Sequence, residues 1–178
     1  MISYILALLT GVLVLAADQL TKYFIVSNFR LYEGTGFIKG LIDIVYIHNT
    51  GGAWGVLQGK TWWLLIMTAV IMVFCIVVLF KSRTKSRLMF WAMTLIVSGG
   101  IGNLIDRIFR DGNVVDFLQF AFWKDFPIFN VADCAIVVGV GMLILYFVLD
   151  TVKEAKLKKT AENAMEKASE NEEDRTDL

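Results

Sequence analysis

Two aspartates in the sequence lie beside apolar residues, where a charge is costly. Asp116 has apolar neighbours on both sides in VVDF, and no Lys, Arg or His lies within five residues of it along the chain. Asp133 lies three residues after Asn130, a typical helix N-cap, so we place it in the first turn of an apolar helix. An ionisable group next to hydrocarbon is a candidate functional residue. Both aspartates are therefore candidates for chemistry.

Two carboxyl groups that meet beside a membrane favour one kind of chemistry. If Asp116 and Asp133 are adjacent, they cannot both ionise comfortably, so one keeps a proton while the other acts as a base toward a water between them. We expect Asp133 to carry the charge, because a helix N-terminus favours a carboxylate. The ionised acid then activates the water, and the protonated acid stabilises the developing oxyanion. This arrangement predicts aspartic peptidase chemistry.

Other reactive residues give weaker signals. His48 is the only histidine, so a multi-histidine metal site or a Ser-His-Asp triad would depend on one ring, and we interpret it as a strand-end residue next to a turn. Cys75 and Cys134 fall at different depths of the predicted spans and form neither a metal-binding pattern nor a credible disulfide pair. We interpret both as packing residues. We expect no metal and no cofactor.

Several charges near helix ends have structural interpretations. Asp18 and Lys22 are four residues apart on one helix face and could simply neutralise each other. Asp106 and Arg107 could form an interfacial ion pair that ends the third span. Both interpretations remain open from the residues alone.

Three rival functions also remain open. A Ser/Lys peptidase would use Ser98 as nucleophile and Lys22 as base, although Asp18 one turn away favours the charged form of that lysine. A proton-coupled carrier or channel subunit would use the boundary carboxylates as a relay, although no acid lies in the middle of a predicted span. A purely structural or partner-binding membrane protein would require none of these placements.

The composition indicates a membrane protein. Of the 178 residues, 57% are hydrophobic and 19% are charged, which is too apolar for an ordinary soluble domain. Four stretches approach the roughly 20 apolar residues of a spanning helix: Ile2 to Val26, Thr61 to Phe80, Leu88 to Ile105, and Val131 to Leu149. The first resembles a signal peptide ending at Ala17, but no Lys or Arg precedes it and the apolar character resumes after Asp18. We interpret it as a retained helix.

Basic residues near the helix ends predict the orientation. The link KSRTKSR (Lys81 to Arg87) has four positive charges in seven residues, and Lys153, Lys156, Lys158 and Lys159 follow the last span. By the positive-inside rule, this link and both termini face the cytoplasm. Residues 27–60 and 106–130 then form two loops at the outer face of the membrane.

The outer loops contain strand-like sequence. Residues from Leu41 to Ile47 are rich in β-branched and aromatic side chains and stop at the turn-forming Asn-Thr-Gly-Gly. Asn113 to Trp123 has similar character, with aromatic residues suited to the lipid headgroup region. We therefore predict an all-α membrane protein of four transmembrane helices with a small extracytoplasmic antiparallel β-sheet, a cradle at the membrane surface.

The domain organisation follows from these spans. Residues 1–152 form the transmembrane domain, with the cradle at about 27–60 and a second outer loop at about 106–130. Residues 153–178 form a charged cytoplasmic tail that we expect to be disordered or a frayed helix, because its composition cannot bury a core. We expect contact with membrane lipid, no nucleic-acid partner and a monomer.

Five short blocks resemble, in this order, the motif blocks of the lipoprotein signal peptidase family (signal peptidase II). The blocks are DQLTK (Asp18 to Lys22), NTGGAWG (Asn49 to Gly55), GGIGNLIDR (Gly99 to Arg107), VVDF (Val114 to Phe117) and FPIFNVAD (Phe126 to Asp133). One block alone would be weak, but five in order are specific. The resemblance extends from the first block to the last and includes the four-helix layout.

The resemblance implies a bacterial integral-membrane aspartic endopeptidase. Such an enzyme removes the signal peptide of a prolipoprotein and cuts just before a cysteine that already carries diacylglycerol. By matching position, Asp116 and Asp133 resemble its catalytic pair, and Asp18 and Lys22 match its first block with a supporting role. The residues that resemble its substrate-binding or site-supporting polar residues are Asn49, Asn103, Arg107 and Asn130.

Two glycine features qualify the resemblance. Gly52 stands where the family commonly has alanine, which could loosen the turn after Asn49. The small residues from Ser98 to Asn103 either permit close helix packing or leave room for an extended peptide, and the sequence leaves both open.

Overall fold

The computed structural model describes residues 2–81 and 86–176, which contain a short 3-10 helix (Ala53–Gly55) besides four α-helices and three strands. In chain order the α-helices and strands are α1 (Ile2–Asn28), β1 (Gly34–Ile38), β2 (Ile42–Asn49), α2 (Thr61–Lys81), α3 (Arg87–Phe109), β3 (Val114–Phe120) and α4 (Val131–Thr176). Two compact units divide the chain, Met1–Met142 and Leu143–Leu178. The first unit contains all the predicted site residues.

All four helices are long and apolar enough to cross a membrane. Their candidate spans are Ile5–Asn28, Thr61–Val78, Arg87–Phe109 and Val131–Asn163. The prediction of four spans is therefore confirmed. Half of the α3 span is buried, against 6% of the α2 span, so α3 contacts its neighbours on several sides while α2 exposes most of its side chains.

Glycines on α3 let the other helices approach closely. A Cβ on Gly102 would lie 2.6 Å from a carboxylate oxygen of Asp18 on α1, and a Cβ on Gly100 would lie 3.1 Å from the sulfur of Met72 on α2. A Cβ on Gly99 would collide with the backbone carbonyl of Ala132 on α4. Of the two interpretations of this small-residue segment, close helix packing is the one the structure supports.

The three strands form one antiparallel sheet in the order β1-β2-β3. The predicted strand character of Leu41 to Ile47 and of Asn113 to Trp123 is confirmed. The third strand comes from the connection between α3 and α4, so the sheet is not confined to residues 27–60. Val114–Phe117 are buried rather than lying at a surface, and Val115 and Phe117 pack with Ile25 of α1 and Tyr46 of β2 in a small core.

The sequence left the end of the chain open between a disordered tail and a frayed helix, and the structure has a helix there. Helix α4 continues past residue 153 to Thr176. Glu, Lys and Ala make up most of this segment, and they are strong helix formers, so intrinsic propensity supports the helix without a buried core. The basic link that predicted the orientation falls mostly on residues 82–85, outside the described part of the chain.

Candidate active site

Asp116 is buried in the middle of β3 and accepts two amide hydrogen bonds. Its side chain is almost fully enclosed, with the residue 1% exposed. The Asn49 amide, from the end of the neighbouring strand β2, donates to Asp116 Oδ2 at 2.8 Å. The Asn130 amide, just before α4, donates to Asp116 Oδ1 at 2.6 Å. The spatial partners that the sequence around Asp116 lacks are therefore asparagines rather than a cation.

Asp133 lies in the first turn of α4, as predicted, and Asn130 is the cap. The backbone N–H of Asp133 donates to Asn130 Oδ1 at 2.9 Å, and the backbone N–H of Asn130 donates to Asp133 Oδ2 at 3.1 Å. This reciprocal pair is a capping box, in which each side chain satisfies the other residue's backbone donor. Asn103 of α3 donates its amide to Asp133 Oδ1 at 2.7 Å.

The two aspartates share Asn130 as a common partner. The side-chain NH2 group of Asn130 donates to Asp116. Its side-chain oxygen accepts the backbone N–H of Asp133, and its own backbone N–H donates to the Asp133 carboxylate. The same amide also donates to Asn103 Oδ1 at 3.1 Å. The structure thus brings the predicted pair into one hydrogen-bonded network, built from β3, α3 and the start of α4.

Burial controls the protonation of Asp116. Removal from water raises the pKa of Asp116 to about 7, and the charge of Asp133 adds to the rise. The amide hydrogen bonds from Asn49 and Asn130 oppose it, since they favour the ionised form. A carboxyl group with a pKa this close to neutrality can hold a proton under physiological conditions.

Lys22 lies at the centre of a buried ion cluster beneath the two aspartates. Its ammonium group contacts Asp18 Oδ2 and Asp106 Oδ2, each at 2.9 Å, and donates to Asn103 Oδ1 at 3.1 Å. The prediction that Asp18 and Lys22 neutralise each other is confirmed. Asp106, however, pairs with Lys22 and with Arg110 at 3.2 Å rather than with the adjacent Arg107.

The two acids of this cluster also bind backbone beside the two candidate aspartates. Asp18 Oδ1 accepts the N–H of Ala132 at 2.9 Å, one residue before Asp133. Asp106 Oδ2 accepts the N–H of Val115 at 3.1 Å, one residue before Asp116. The ion cluster therefore anchors the chain next to each member of the pair.

Asp106 is the site-supporting residue that sequence reasoning missed. Its neighbour Arg107 suggested a local ion pair, whereas its real partners come from α1 and β3. The signal that could have identified it is its place within the block Gly99 to Arg107, beside residues already assigned to the site.

Arg107 and Asn49 hold the turn that follows β2. Arg107 donates from Nη2 to the carbonyl of Gly51 at 3.2 Å, and the N–H of Gly51 donates to Asn49 Oδ1 at 2.9 Å. Because Asn49 also contacts Asp116, this turn and the buried carboxyl are directly coupled. A cleft of about 340 Å³ opens beside Asn49, between this turn and residues 124–128.

The family model described as Signal peptidase (SPase) II matches residues 10–149. The chain belongs to the signal peptidase II family. A lipoprotein signal peptidase of Enterococcus faecalis is 41% identical over 155 residues, which cover 87% of this chain and 94% of the relative. A lipoprotein signal peptidase of Bacillus pumilus is 42% identical over 137 residues, which cover 76% and 88%.

Two solved bacterial membrane enzymes, determined by the in meso method, share the fold. One has a TM-score of 0.77 and 35% identity, with 82% of this chain and 88% of that chain covered. The other has a TM-score of 0.72 and 34% identity, with 79% and 91% covered. The resemblance inferred from the five sequence blocks is confirmed. This member of the signal peptidase II family is a peptidase and a multi-pass membrane protein.

The Ser/Lys alternative has no geometric support in this family member. The ammonium of Lys22 is fully buried and contacts Asp18, Asp106 and Asn103 rather than Ser98. Ser98 donates to the carbonyl of Leu95 within its own helix and lines an apolar groove of α1 and α3.

The remaining candidates occupy structural positions. His48 Nε2 lies 2.7 Å from the hydroxyl of Tyr46, near the end of β2. Cys75 is buried, whereas Cys134 is exposed and is not the packing residue we expected. A Cβ on Gly52 would come no closer than 3.5 Å to another atom, so the alanine common in the signal peptidase II family would fit there.

Proposed function

We propose that this protein is an aspartic endopeptidase that removes the signal peptide from diacylglyceryl-modified prolipoproteins. Cleavage occurs immediately before the lipidated cysteine, at the outer face of the cytoplasmic membrane. The observation that carries the proposal is the sharing of Asn130 by Asp116 and Asp133, two acids otherwise partnered by amides. Membership of the signal peptidase II family supports the same assignment.

Asp133 acts as the base in this proposal and Asp116 as the acid. Asp133 accepts a backbone N–H at a helix start and the Asn103 amide, and both favour its ionised form. The pKa of Asp116 near 7 favours a proton on that residue at neutral pH. The pair titrates as one unit, so the proton belongs to the pair as much as to either residue.

The reaction consumes one water and breaks one C–N bond. Asp133 takes a proton from the water as its oxygen attacks the peptide carbonyl carbon, and Asp116 gives its proton to the carbonyl oxygen. The resulting tetrahedral diol then collapses. The leaving nitrogen takes the proton from Asp133, and one diol hydroxyl returns a proton to Asp116. Both carboxyl groups end in their starting states.

The cleft beside Asn49 is the proposed path of the extended peptide. It is lined on one side by the turn that Arg107 holds and on the other by residues 124–128, and Asn49 links it to Asp116. A diacylated substrate is confined to the membrane, so its cleavage point lies at the interface. Its lipid tails would lie against the apolar surfaces of the helices, which is why the enzyme needs four spans and a sheet at one end.

A reconstitution assay tests this proposal. Purified protein in detergent is given a diacylglyceryl-modified prolipoprotein, and mass spectrometry identifies the new N-terminus. We expect the parent to release a product that begins with the lipidated cysteine, while Asp116→Asn and Asp133→Asn fold but do not cleave. The unlipidated precursor is the substrate control, and Ser98→Ala is the variant control. Cleavage that survives both Asn substitutions, or is lost with Ser98→Ala alone, would overturn the assignment.

A further inference from the structure

The side-chain amide of Asn103 has only one orientation that satisfies its surroundings. The Lys22 ammonium carries N–H donors and no acceptor, so the Asn103 atom that faces it at 3.1 Å has to be the carbonyl oxygen. The amide nitrogen must then face the other way, where Asp133 Oδ1 lies at 2.7 Å. The Asn130 amide donates to the same oxygen at 3.1 Å, so the ammonium and this amide together determine that Asn103 presents a donor to the carboxylate on the other side.

The ammonium is itself fixed, which makes this orientation rigid. Each of its donors has an acceptor, from Asp18, Asp106 and Asn103. The lysine side chain is fully buried. Water therefore cannot take the place of the amide oxygen without leaving a buried donor unpaired, which is expensive in a low-dielectric interior.

The opposite orientation would disturb the chemistry. If Asn103 were flipped, its NH2 group would face the ammonium and its oxygen would face Asp133. Two acceptors would then lie in contact unless Asp133 took up a proton. A protonated Asp133 cannot serve as the base in the proposed mechanism.

We propose that Lys22 is a positioning residue for catalysis, and that it acts by holding the Asn103 amide with its N–H donors toward Asp133. This inference rests on the proposed function. It differs from a general supporting role because it assigns the effect of Lys22 to one hydrogen bond, and because it separates that effect from the direct attraction between Lys22 and the two aspartates.

Charged groups from three elements of the fold lie near Asp133. They are Asp18 and Lys22 from α1, Arg107 from α3 and Asp116 from β3. Removal of Lys22 alone would leave two buried carboxylates without their common cation and could unfold the protein. A charge-matched double variant, Lys22→Met with Asp18→Asn, avoids this excess of negative charge. The double variant is compared with the single variant Asp18→Asn, which keeps Lys22 and its contact with Asn103.

The test measures how Lys22→Met changes the pH profile of kcat/KM. It does so in two starting proteins, Asp18→Asn and Asp18→Asn with Asn103→Leu. In the Asp18→Asn background, we expect Lys22→Met to move the acid limb up by about one pH unit and to lower kcat/KM at neutral pH at least about tenfold. When Asn103→Leu is also present, Lys22→Met should cause little further shift, because the residue through which Lys22 acts is gone. An equal shift in both backgrounds would mean a direct charge effect and would overturn the proposal.

A measurement without turnover keeps this test separate from the proposed function. The infrared band of protonated carboxyl groups at fixed pH, compared with and without Asp133→Asn, reports the protonation of Asp133 in resting protein. We expect Lys22→Met to increase this signal in the Asp18→Asn background but not when Asn103→Leu is added. If the parent cleaves no prolipoprotein, the proposed function fails, yet the infrared result still decides the role of Lys22. An unchanged band would overturn that role.

Discussion

The amide of Asn130 donates to Asp116 across the gap between α4 and β3, at 2.6 Å. Asn130 is also the residue that caps α4 and bonds Asp133 in both directions. One side chain thus connects a helix cap, which is a feature of local folding, to a carboxyl group on a strand of the sheet. Asn130 therefore links the position of Asp116 to that of Asp133.

Asn130→Ser should separate the two roles of Asn130. Serine is a good N-cap, so we expect the start of α4 to be kept, with a loss of about 1–3 kcal/mol from the buried amide contacts that serine cannot make. Serine is too short to donate to Asp116 in place of the amide, so we expect kcat/KM to fall on the order of a hundredfold through misplacement of the pair. Peptidase assays and thermal unfolding in detergent measure both effects.

Asn130→Ala is the matched comparison for this substitution. It removes the cap as well as the amide, so it should be about 1 kcal/mol less stable than Asn130→Ser and should also lose activity. If Asn130→Ser retained parental activity, the amide contact with Asp116 would be irrelevant to catalysis.

The pH dependence of stability should reveal the raised pKa of Asp116. The pKa is 3.8 in an unperturbed Asp and about 7 in the folded protein. Between these pH values the folded state holds a proton that the unfolded state has released, so raising the pH destabilises the fold. The penalty is absent below about pH 4 and complete above about pH 7, where it amounts to a few kcal/mol.

Asp116→Asn should remove this penalty because asparagine does not titrate. We therefore expect the unfolding midpoint of the variant, relative to that of the parent, to rise steadily from about pH 4 to about pH 8. Thermal unfolding in detergent across this range provides the measurement. A difference between variant and parent that stays constant with pH would show that Asp116 is ionised throughout and would contradict the raised pKa.

The spans and the burial of Asp116 could be predicted from the sequence because both depend on short-range patterns. Apolar length defines a span, and an acid with no local counter-charge, such as Asp116, signals burial. The role of Asp106 could not be predicted in this way, because Lys22 and Val115, which it contacts, are distant in sequence. The tail could be predicted only as disordered or as a frayed helix, because composition reports whether a core can form, whereas helix propensity acts residue by residue.

Asp106→Ala should be strongly destabilising. The substitution leaves Lys22 with one carboxylate instead of two and leaves the buried N–H of Val115 without its acceptor. Breaking a buried ion pair by removing one partner costs about 3–5 kcal/mol. We expect a large drop in the unfolding midpoint, with loss of activity following from loss of the fold.

The ion pair between Lys124 and Asp43 provides the control for that prediction. It is solvent-exposed, with the Lys124 side chain 54% accessible. Lys124→Ala should therefore cost no more than about 1 kcal/mol. Equal losses from Asp106→Ala and Lys124→Ala would argue that the buried cluster contributes no more than a surface pair.

Gly99→Ala tests whether close packing of α3 and α4 positions Asp133. The added methyl group would collide with the backbone carbonyl of Ala132, which cannot rotate away as a flexible side chain could. Relief requires α4 to shift, at a cost of about 1–3 kcal/mol, and Asp133 lies one residue beyond the point of collision.

Gly141→Ala, on α4 itself, is the control for this prediction. A Cβ on Gly141 meets nothing within 4 Å, so this substitution should be neutral or stabilising by up to about 1 kcal/mol. We expect Gly99→Ala to lower kcat/KM on the order of a hundredfold even where the protein remains folded, whereas Gly141→Ala should cleave like the parent. Full activity of a folded Gly99→Ala variant would mean that Asp133 tolerates displacement of its helix.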